Sequence, residues 1–355
     1  MKLYFIVLLL VTLFLFFAEK NRKHKLLFNL NIFISSSILV LFAGTRSSNV
    51  GTDTNNYVGI FNQINNDRIS DNNSSLEFFY LLLNKIAYFF SSDYSALLLS
   101  VAIVAVYFNM KVITKLSNNL WVSVFVFMTL GSYLFFFNAA RQGIAVALVG
   151  MAILQLHEKN IKKYIFWILI ASLFHKTALV MIPIYFVNLN KFSIKKTVVI
   201  GLLFSVFIVF MSSFLNLLSG DISQRFSAYE NRGASGGYTI TFFYVLMTLL
   251  VVYFKKYIST GSLKKYNLYL NLCVVHTLVF IVVQITGVDI NLIRLSNYFQ
   301  LGFILIYPIV FKEVKIFNDI FPRIIFIGVH LFFYYVYLGK MSNLTPYFFN
   351  SIFNL

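Results

Sequence analysis

Long, uninterrupted apolar runs separated by short polar stretches cover most of the chain. Many of these runs reach the roughly 17–25 residues that a helix needs to cross the hydrocarbon core of a bilayer. Every backbone amide must be satisfied inside the hydrocarbon, and the runs are continuous rather than alternating, so they predict helices rather than barrel strands. We therefore predict an all-α polytopic membrane protein with apolar segments at about 3–18, 26–44, 94–110, 120–138, 140–157, 164–188, 197–218, 239–254, 268–285, 290–311 and 324–340.

The charge of the polar stretches predicts which side of the membrane each one faces. Short loops rich in lysine are typical of the cytoplasmic side of membrane proteins. This rule places in the cytoplasm the loops at 19–25, 111–119, 158–163, 189–196, 255–267 and 312–323. The stretches left outside are a first outer loop at 45–93, a second outer loop at 219–238, a turn at 286–289 and the segment 341–355.

Two apolar segments do not fit a series of single crossings. Segment 76–90 is short, and its polar side chains share one helical face: Glu77, Asn84, Lys85 and Tyr88. We predict that it is an amphipathic helix lying at the outer interface. Segment 164–188 begins and ends in basic loops, so we predict a hairpin of two short helices that turns at His175. About twelve spans result, in a single integral membrane domain over 1–355 with both termini outside.

The composition agrees with a membrane protein. The chain is 59% hydrophobic and 12% charged, with a mean hydropathy of +0.79, whereas a soluble domain carries roughly 25% charged residues. The net charge of +17 is spread over the short loops, so it indicates membrane orientation rather than nucleic-acid binding. Cys273 is the only cysteine, which excludes a disulfide within the chain. Segment 2–18 lacks a cleavage site and is predicted to stay as a first helix.

Arginine and lysine are distributed unequally between the two predicted sides. Of the 29 basic residues, the six cytoplasmic loops hold 19, and 17 of these are lysines. Among the other ten, six are arginines, namely Arg46, Arg68, Arg141, Arg225, Arg232 and Arg294. Orientation alone gives no reason for arginine to replace lysine outside. Because the planar guanidinium binds phosphate or carboxylate bidentately, this distribution predicts an anion site on the outer face.

Two of these arginines, Arg141 and Arg294, begin or lie within apolar helices. An arginine at the centre of a span costs roughly 2.5–3.5 kcal/mol on insertion scales, so each one is a functional-site hypothesis. The alternatives are snorkelling to the interface or a structural ion pair. Helical spacing brings polar neighbours to the same faces: Asn138 and Gln142 beside Arg141, and Asn291 and Tyr298 beside Arg294. We predict an outward-facing cavity that binds the anionic headgroup of a lipid-linked sugar.

Five short motifs are spread over most of the chain: Gly51-Thr52-Asp53 with Tyr57 and Phe61, Asn138-Ala139-Ala140-Arg141-Gln142, Leu173-Phe174-His175-Lys176-Thr177-Ala178, Arg294 with Tyr298-Phe299, and Pro346-Tyr347. In these motifs and their order, the chain resembles the EpsG/Wzy-like family of bacterial polysaccharide polymerases. The resemblance implies a metal-independent glycosyltransferase of the cytoplasmic membrane, with its active site on the outer or periplasmic face. Such enzymes transfer a growing glycan from polyprenyl pyrophosphate to a lipid-linked repeat unit, in O-antigen, capsule or exopolysaccharide synthesis, without a cofactor.

This resemblance gives the candidate residues their roles. The predicted pyrophosphate-binding residues are Arg46, Arg141, Gln142, Arg225 and Arg294. The candidates for the general base are Asp53, which could instead cap a loop helix, and His175, which could instead hydrogen-bond a turn. The predicted sugar-binding residues are Tyr57, Glu77 and Tyr298. No metal motif is present in the sequence, and the expected partners are lipid-linked glycans, membrane lipids and the pathway's chain-length regulator and flippase, with no nucleic acid.

Three other functions remain open from the sequence. A ligase of the same type would transfer the finished glycan to another acceptor. A transporter or flippase would hold intramembrane charges too, but the chain lacks the internal repeats typical of that class. A membrane O-acyltransferase would use His175 as its base, and its donor contacts would fall among the lysine-rich loops.

Overall fold

A computed structural model of the chain describes residues 1–65, 76–186, 191–193, 195–199, 201–203, 206, 237–286, 290–340 and 343–353. In this part of the chain the regular structure is helical, and an isolated antiparallel bridge joins Arg46 to Phe349. The α-helices are α1 (Lys2–Lys20), α2 (Lys25–Gly44), α3 (Thr54–Asn65), α4 (Phe78–Phe90), α5 (Ser95–Leu116), α6 (Leu120–Thr129), α7 (Phe135–Asn138), α8 (Ala140–Glu158), α9 (Ile161–Ser172), α10 (Gly237–Phe254), α11 (Thr260–Thr286), α12 (Leu301–Glu313) and α13 (Ile320–Lys340). The 3₁₀ helices are Lys176–Phe186, Lys255–Tyr257, Ile290–Phe299, Lys315–Asn318 and Ser351–Phe353.

Eight helical segments in the described part are long and apolar enough to cross a membrane, which confirms the all-α polytopic class. They are Lys2–Lys20, Lys25–Gly44, Ser95–Leu116, Ala140–Glu158, Gly237–Tyr257, Thr260–Thr286, Leu292–Glu313 and Ile320–Lys340. At 1.5 Å per residue the 19 residues of α1 extend about 28 Å, close to the hydrocarbon thickness. The total of twelve spans stays a prediction, as do the two membrane sides. Most of 197–218 and of the second outer loop lies outside the described residues.

The predicted span at 120–138 is wrong as a continuous helix. Helix α6 ends at Thr129, and the chain turns before the short helix α7. Gly131 adopts a φ of +75° in this turn, and a Cβ there would lie 2.6 Å from the Tyr337 ring. A glycine is therefore required by both the backbone conformation and the close packing. Hydrophobicity alone did not reveal this break because the residues on both sides of the turn, in α6 and α7, are apolar.

The hairpin predicted within 164–188 is present. Helix α9 ends at Ser172, the chain turns through His175, and the 3₁₀ helix Lys176–Phe186 follows. The Tyr164 hydroxyl on the first arm donates to the Met181 carbonyl on the second at 2.5 Å. The Tyr164 and Tyr185 rings also lie 5.2 Å apart between centroids, so the arms pack against each other.

The short segment 76–90 forms α4, as predicted, but its polar side chains do not share one environment. Asn84 is fully buried and donates to the Tyr80 carbonyl at 2.7 Å, and Glu77 is also buried. Lys85 and Tyr88 are exposed, and so are apolar residues such as Phe89. Part of the polar face is therefore directed into the protein. The interfacial position of α4 stays a prediction.

The chain divides into two compact units, 1–187 with 319–355, and 188–318. In the first unit, α8 is the buried centre and packs against α5 and α9, while α1 packs against α2 and α6. In the second unit, α11 packs between α10, α12 and the 3₁₀ helix Ile290–Phe299. Hydroxyl groups of Thr248 and Thr277 lie 2.7 Å apart there. The single integral domain over 1–355 stays a prediction.

A segment near the C-terminus, 343–353, closes over the end of α2, and we call it the C-terminal strap. The Ser47 amide donates to the Phe348 carbonyl and the Asn350 amide donates to the Thr45 carbonyl, each at 2.8 Å. The Tyr4 hydroxyl on α1 donates to the Leu344 carbonyl at 2.6 Å. The strap thus ties the first helix to the start of the first outer loop.

Candidate active site

A buried carboxylate, Glu77, bridges two of the sequence-predicted residues. Arg141 donates from Nη1 to Glu77 Oε2 at 2.7 Å, and His175 Nδ1 lies 3.1 Å from Glu77 Oε1. We call these three residues the Glu77 cluster. They are far apart in sequence, and the fold brings them together from three helix termini in the first unit.

Backbone contacts hold the ends of these helices together. Glu77 has extended backbone angles immediately before α4, and its carbonyl accepts from the Tyr80 amide at 3.0 Å. A carboxylate is favourable there because the helix N-terminus carries partial positive charge. The Phe79 amide donates to the Leu173 carbonyl at 3.0 Å, and the Phe79 and Phe174 rings lie 5.5 Å apart. The turn that carries His175 is therefore fixed against the first turn of α4.

The two basic partners of Glu77 are only partly buried. The Arg141 side chain is 30% exposed and that of His175 is 24% exposed, whereas Glu77 is only 7% exposed. The Arg141 guanidinium lies over the Tyr80 ring at 5.8 Å. Among the described residues, its other N–H groups and the His175 Nε2 atom have no hydrogen-bond partner. Donors and one acceptor thus remain open to a ligand from outside.

The charge state of Glu77 determines the tautomer of His175. Burial raises the pKa of Glu77, but the hydrogen bond with His175 and the charge of Arg141 outweigh it and bring the pKa down to about 2. Glu77 is therefore ionised at neutral pH and can only accept hydrogen bonds. His175 Nδ1 must carry a hydrogen to bond with it. In the neutral ring the lone pair then lies on Nε2.

The motif at Gly51–Thr54 lies against the motif that opens α8. The Thr52 amide donates to Asn138 Oδ1 at 2.8 Å, and Thr54 Oγ1 donates to the Phe137 carbonyl at 3.3 Å. Gly51 has a φ of +104°, and a Cβ there would lie 2.7 Å from Asn138 Oδ1. Gly51 therefore occupies a tight loop in which only a glycine fits.

Asp53 and Tyr57 flank the start of α3. Asp53 is half-buried directly before Thr54, in the helix-capping position that was its alternative role, and its carbonyl accepts from the Tyr57 amide at 3.1 Å. Tyr57 is only 6% exposed, and its hydroxyl accepts from the Ala140 amide at 3.0 Å. The Tyr57 ring also lies 6.4 Å from that of Tyr80. These contacts favour a positioning role for Tyr57 at the start of α8 over sugar stacking.

Arg46 is buried beneath the C-terminal strap, with 1% of its surface exposed. Its guanidinium lies 4.3 Å from the centre of the Phe137 ring, and its Nη1 donates to the Ala43 carbonyl. Burial lowers its pKa to about 10. In the described part of the chain, Nε and Nη2 have no acceptor. Pyrophosphate binding by Arg46 stays a prediction, and its enclosure does not favour direct contact.

The other predicted residues lie elsewhere. Gln142 is 6% exposed on α8, next to Arg141. Arg294 is half-buried and Tyr298 is 1% exposed, both on the 3₁₀ helix Ile290–Phe299 of the second unit. Arg225 lies outside the described residues. The roles predicted for these four residues stay predictions.

The sequence did not reveal the central position of Glu77 or the neighbouring role of Tyr80. Glu77 was predicted only as a sugar-binding residue. The sequence does carry one signal for Glu77, because an acid directly before an apolar helix is notable in a chain with only 12 acidic residues.

Among the described residues, no group of three His, Cys, Asp or Glu side chains is placed to hold a metal ion.

Comparisons with known proteins identify the family to which the chain belongs. The chain is 26% identical to the amylovoran biosynthesis protein AmsC of Erwinia amylovora over 210 residues, which cover 54% of this chain and 55% of that protein. The matched stretch thus spans about half the length of this curated relative. No solved structure is significantly similar to the chain. Residues 29–351, which include the whole Glu77 cluster, match the model of the EpsG family, and the chain therefore belongs to the EpsG family.

Proposed function

We propose that this protein is a polysaccharide polymerase, a glycosyltransferase that joins polyprenyl-pyrophosphate-linked oligosaccharide repeat units. Membership of the EpsG family supports this class, and the matched relative is named for amylovoran biosynthesis. The observation that carries the proposal is the Glu77 cluster, which presents an oriented imidazole and an incompletely bonded guanidinium side by side. We place the reaction on the outer face of the bacterial cytoplasmic membrane, for exopolysaccharide, capsule or O-antigen synthesis.

In this proposal His175 is the general base. The acceptor hydroxyl attacks the anomeric carbon of the donor glycan, and its proton passes to His175 Nε2. Glu77 accepts the Nδ1–H at 3.1 Å, holds the ring in the required tautomer and balances the charge of the imidazolium. Asp53, the other candidate base, lies at a helix start among loop contacts, so the geometry favours His175 over it.

Arg141 is assigned to the leaving group. When the bond from the anomeric carbon to the pyrophosphate oxygen breaks, the electron pair leaves with polyprenyl pyrophosphate. Arg141 uses one N–H for Glu77, so its other donors can stabilise the developing negative charge. Gln142, Arg225 and Arg294 each remain a proposed further contact to the pyrophosphate. No metal or other cofactor is assigned to the reaction.

The test is a polymerisation assay with the purified chain in proteoliposomes. A synthetic polyprenyl-pyrophosphate repeat unit should give a ladder of longer glycans. Replacing His175→Asn keeps an N–H close to the position of Nδ1 for Glu77 but removes the acceptor at Nε2, so the ladder should weaken at least 100-fold while the protein still folds. Full-length ladders from this variant would refute the role of His175.

The same assay separates the competing functions. A ligase would transfer each glycan once to a different acceptor without a ladder, and a flippase would move the repeat unit across the vesicle without lengthening it. Reporter fusions in the first outer loop and in 189–196 would test the proposed sides of the membrane. A chain-length regulator and a flippase of the same pathway are the partners that we propose.

A further inference from the structure

A groove between α2 and α5 is not explained by the proposed reaction. It has a volume of about 580 Å³, within the roughly 300–1,000 Å³ of small-molecule sites. Its lining is mainly apolar, with side chains such as Phe33, Leu41 and Ile103. These three side chains are more than half exposed in the described structure, so the groove opens at the surface of the first unit.

One end of the groove is polar and positively charged. Asn29, Lys111 and Thr114 line this end, where α2 begins and α5 approaches its C-terminus. Lys111 Nζ bonds only to the neutral Tyr107 hydroxyl, at 3.2 Å, and no carboxylate of the described chain lies within ion-pair distance. Its charge is therefore available to a ligand anion.

The length of the groove matches one leaflet of a bilayer. Along α2 the lining extends from Asn29 to Leu41, about 18 Å at 1.5 Å per residue. Half of a bilayer's hydrocarbon core is about 15 Å thick. An acyl chain lying in the groove would therefore place its headgroup at Lys111.

Within the first unit, the charged end of the groove and the Glu77 cluster lie at opposite ends of the helices. Helix α2 runs from this end towards Gly44, and the nearby Arg46 packs on Phe137, four residues before Arg141 of the Glu77 cluster. Lys111 begins the segment 111–119, which is predicted to face the cytoplasm and whose first part forms the end of α5. A ligand bound here would therefore come from the cytoplasmic leaflet, whereas the proposed substrate comes from the outer leaflet.

We propose that this groove binds an anionic diacyl phospholipid from the cytoplasmic leaflet, with its phosphate on Lys111 and one acyl chain between α2 and α5. The charge complementarity at Lys111 and the apolar length of the groove select this ligand. Asn29 supplies a neutral hydrogen-bond donor beside the phosphate, whereas the Thr114 hydroxyl already donates to the Lys111 carbonyl at 3.0 Å. The inference does not depend on the proposed reaction.

The test is native mass spectrometry of the full-length chain with phosphatidylglycerol and phosphatidylcholine of the same acyl chains. We expect one tightly retained phosphatidylglycerol and much weaker phosphatidylcholine binding. Lys111→Gln should weaken phosphatidylglycerol binding about fivefold, the effect typical of one lysine at an anionic lipid surface. Lys115→Gln is the matched control, because Lys115 is exposed one turn further along α5 and does not line the groove.

A second variant tests the groove itself. Ser36→Leu adds an apolar side chain to the lining without changing the charge, and it should displace the retained lipid. Equal losses for Lys111→Gln and Lys115→Gln, or equal binding of the two lipids, would overturn the proposal. So would displacement of phosphatidylglycerol by an equimolar amount of polyprenyl phosphate, because the groove would then belong to the carrier lipid.

Discussion

Replacing Glu77→Gln removes the charge that joins Arg141 to His175 while keeping the size of the side chain. A carboxylate accepts from both donors, at 2.7 and 3.1 Å, but an amide has a single oxygen. Its NH₂ group must then face either the guanidinium or the imidazole N–H. A hydrogen bond to a charged group contributes about 1.5–3 kcal/mol, so we expect the free energy of unfolding to fall by about 2–3 kcal/mol.

The pH dependence makes this prediction specific. The pKa of Glu77 is lowered from its ordinary 4.5 to about 2, so its contribution to stability is complete above pH 4.5 and is lost as the pH falls towards 2. The difference in stability between wild type and the Glu77→Gln variant should therefore be constant at neutral pH. It should shrink progressively below pH 4.5, because unfolded wild type then takes up a proton at Glu77 that the native state takes up only near pH 2.

The assay is thermal unfolding in detergent between pH 7 and pH 3, with polymer formation measured at neutral pH. Glu158→Gln is the matched control, since Glu158 is exposed at the end of α8 and should behave as wild type. We expect at least a 100-fold loss of polymer for Glu77→Gln, because His175 loses its oriented partner. A stability difference that does not change with pH would refute the ionised bridge.

Three further substitutions test the surroundings of the Glu77 cluster. Arg141→Lys keeps the charge but removes the planar fork, so we expect polymer formation to fall about 10–100-fold with little change in melting temperature; normal chain length would contradict bidentate phosphate binding. Gly51→Ala should cost about 1–3 kcal/mol of stability because φ is +104° and Asn138 Oδ1 is too close, whereas the control Gly59→Ala meets no atom within 4 Å and should be neutral or slightly stabilising in a thermal melt. Tyr57→Phe keeps the ring and removes the hydroxyl that accepts from Ala140, so we expect about 1–2 kcal/mol lower stability and reduced turnover; a change confined to the acceptor KM would instead support sugar binding.

The sequence predicted the helical class and the hairpin at His175 because the causes of both are local. Continuous apolar runs are sufficient to predict helices in a bilayer, and the polar centre at His175 predicted the hairpin. The contact of the Gly51 loop with Asn138 was not predicted, although both belong to the motifs that carry the family resemblance.

Other features depend on long-range packing, which periodicity does not encode. Glu77 reaches its two partners across 64 and 98 positions, so its central place could not be read from its neighbours in sequence. At the break after α6, Gly131 lies against the Tyr337 ring, which comes from a distant part of the chain. Arg46 was predicted to face a cavity, but the strap that covers it comes from a distant part of the chain.

The contact between Tyr4 and Leu344 has a consequence for biosynthesis. The two residues are 340 positions apart, and a ribosome adds roughly 5–20 residues per second, so about 17–70 s pass between their syntheses. During this time α1 can pack against α2 and α6, but the Tyr4 hydroxyl lacks its final acceptor and Arg46 has no cover. A nascent chain that stops before the strap would therefore leave Arg46 uncovered, and this exposed charge would distinguish a truncated product from the complete fold.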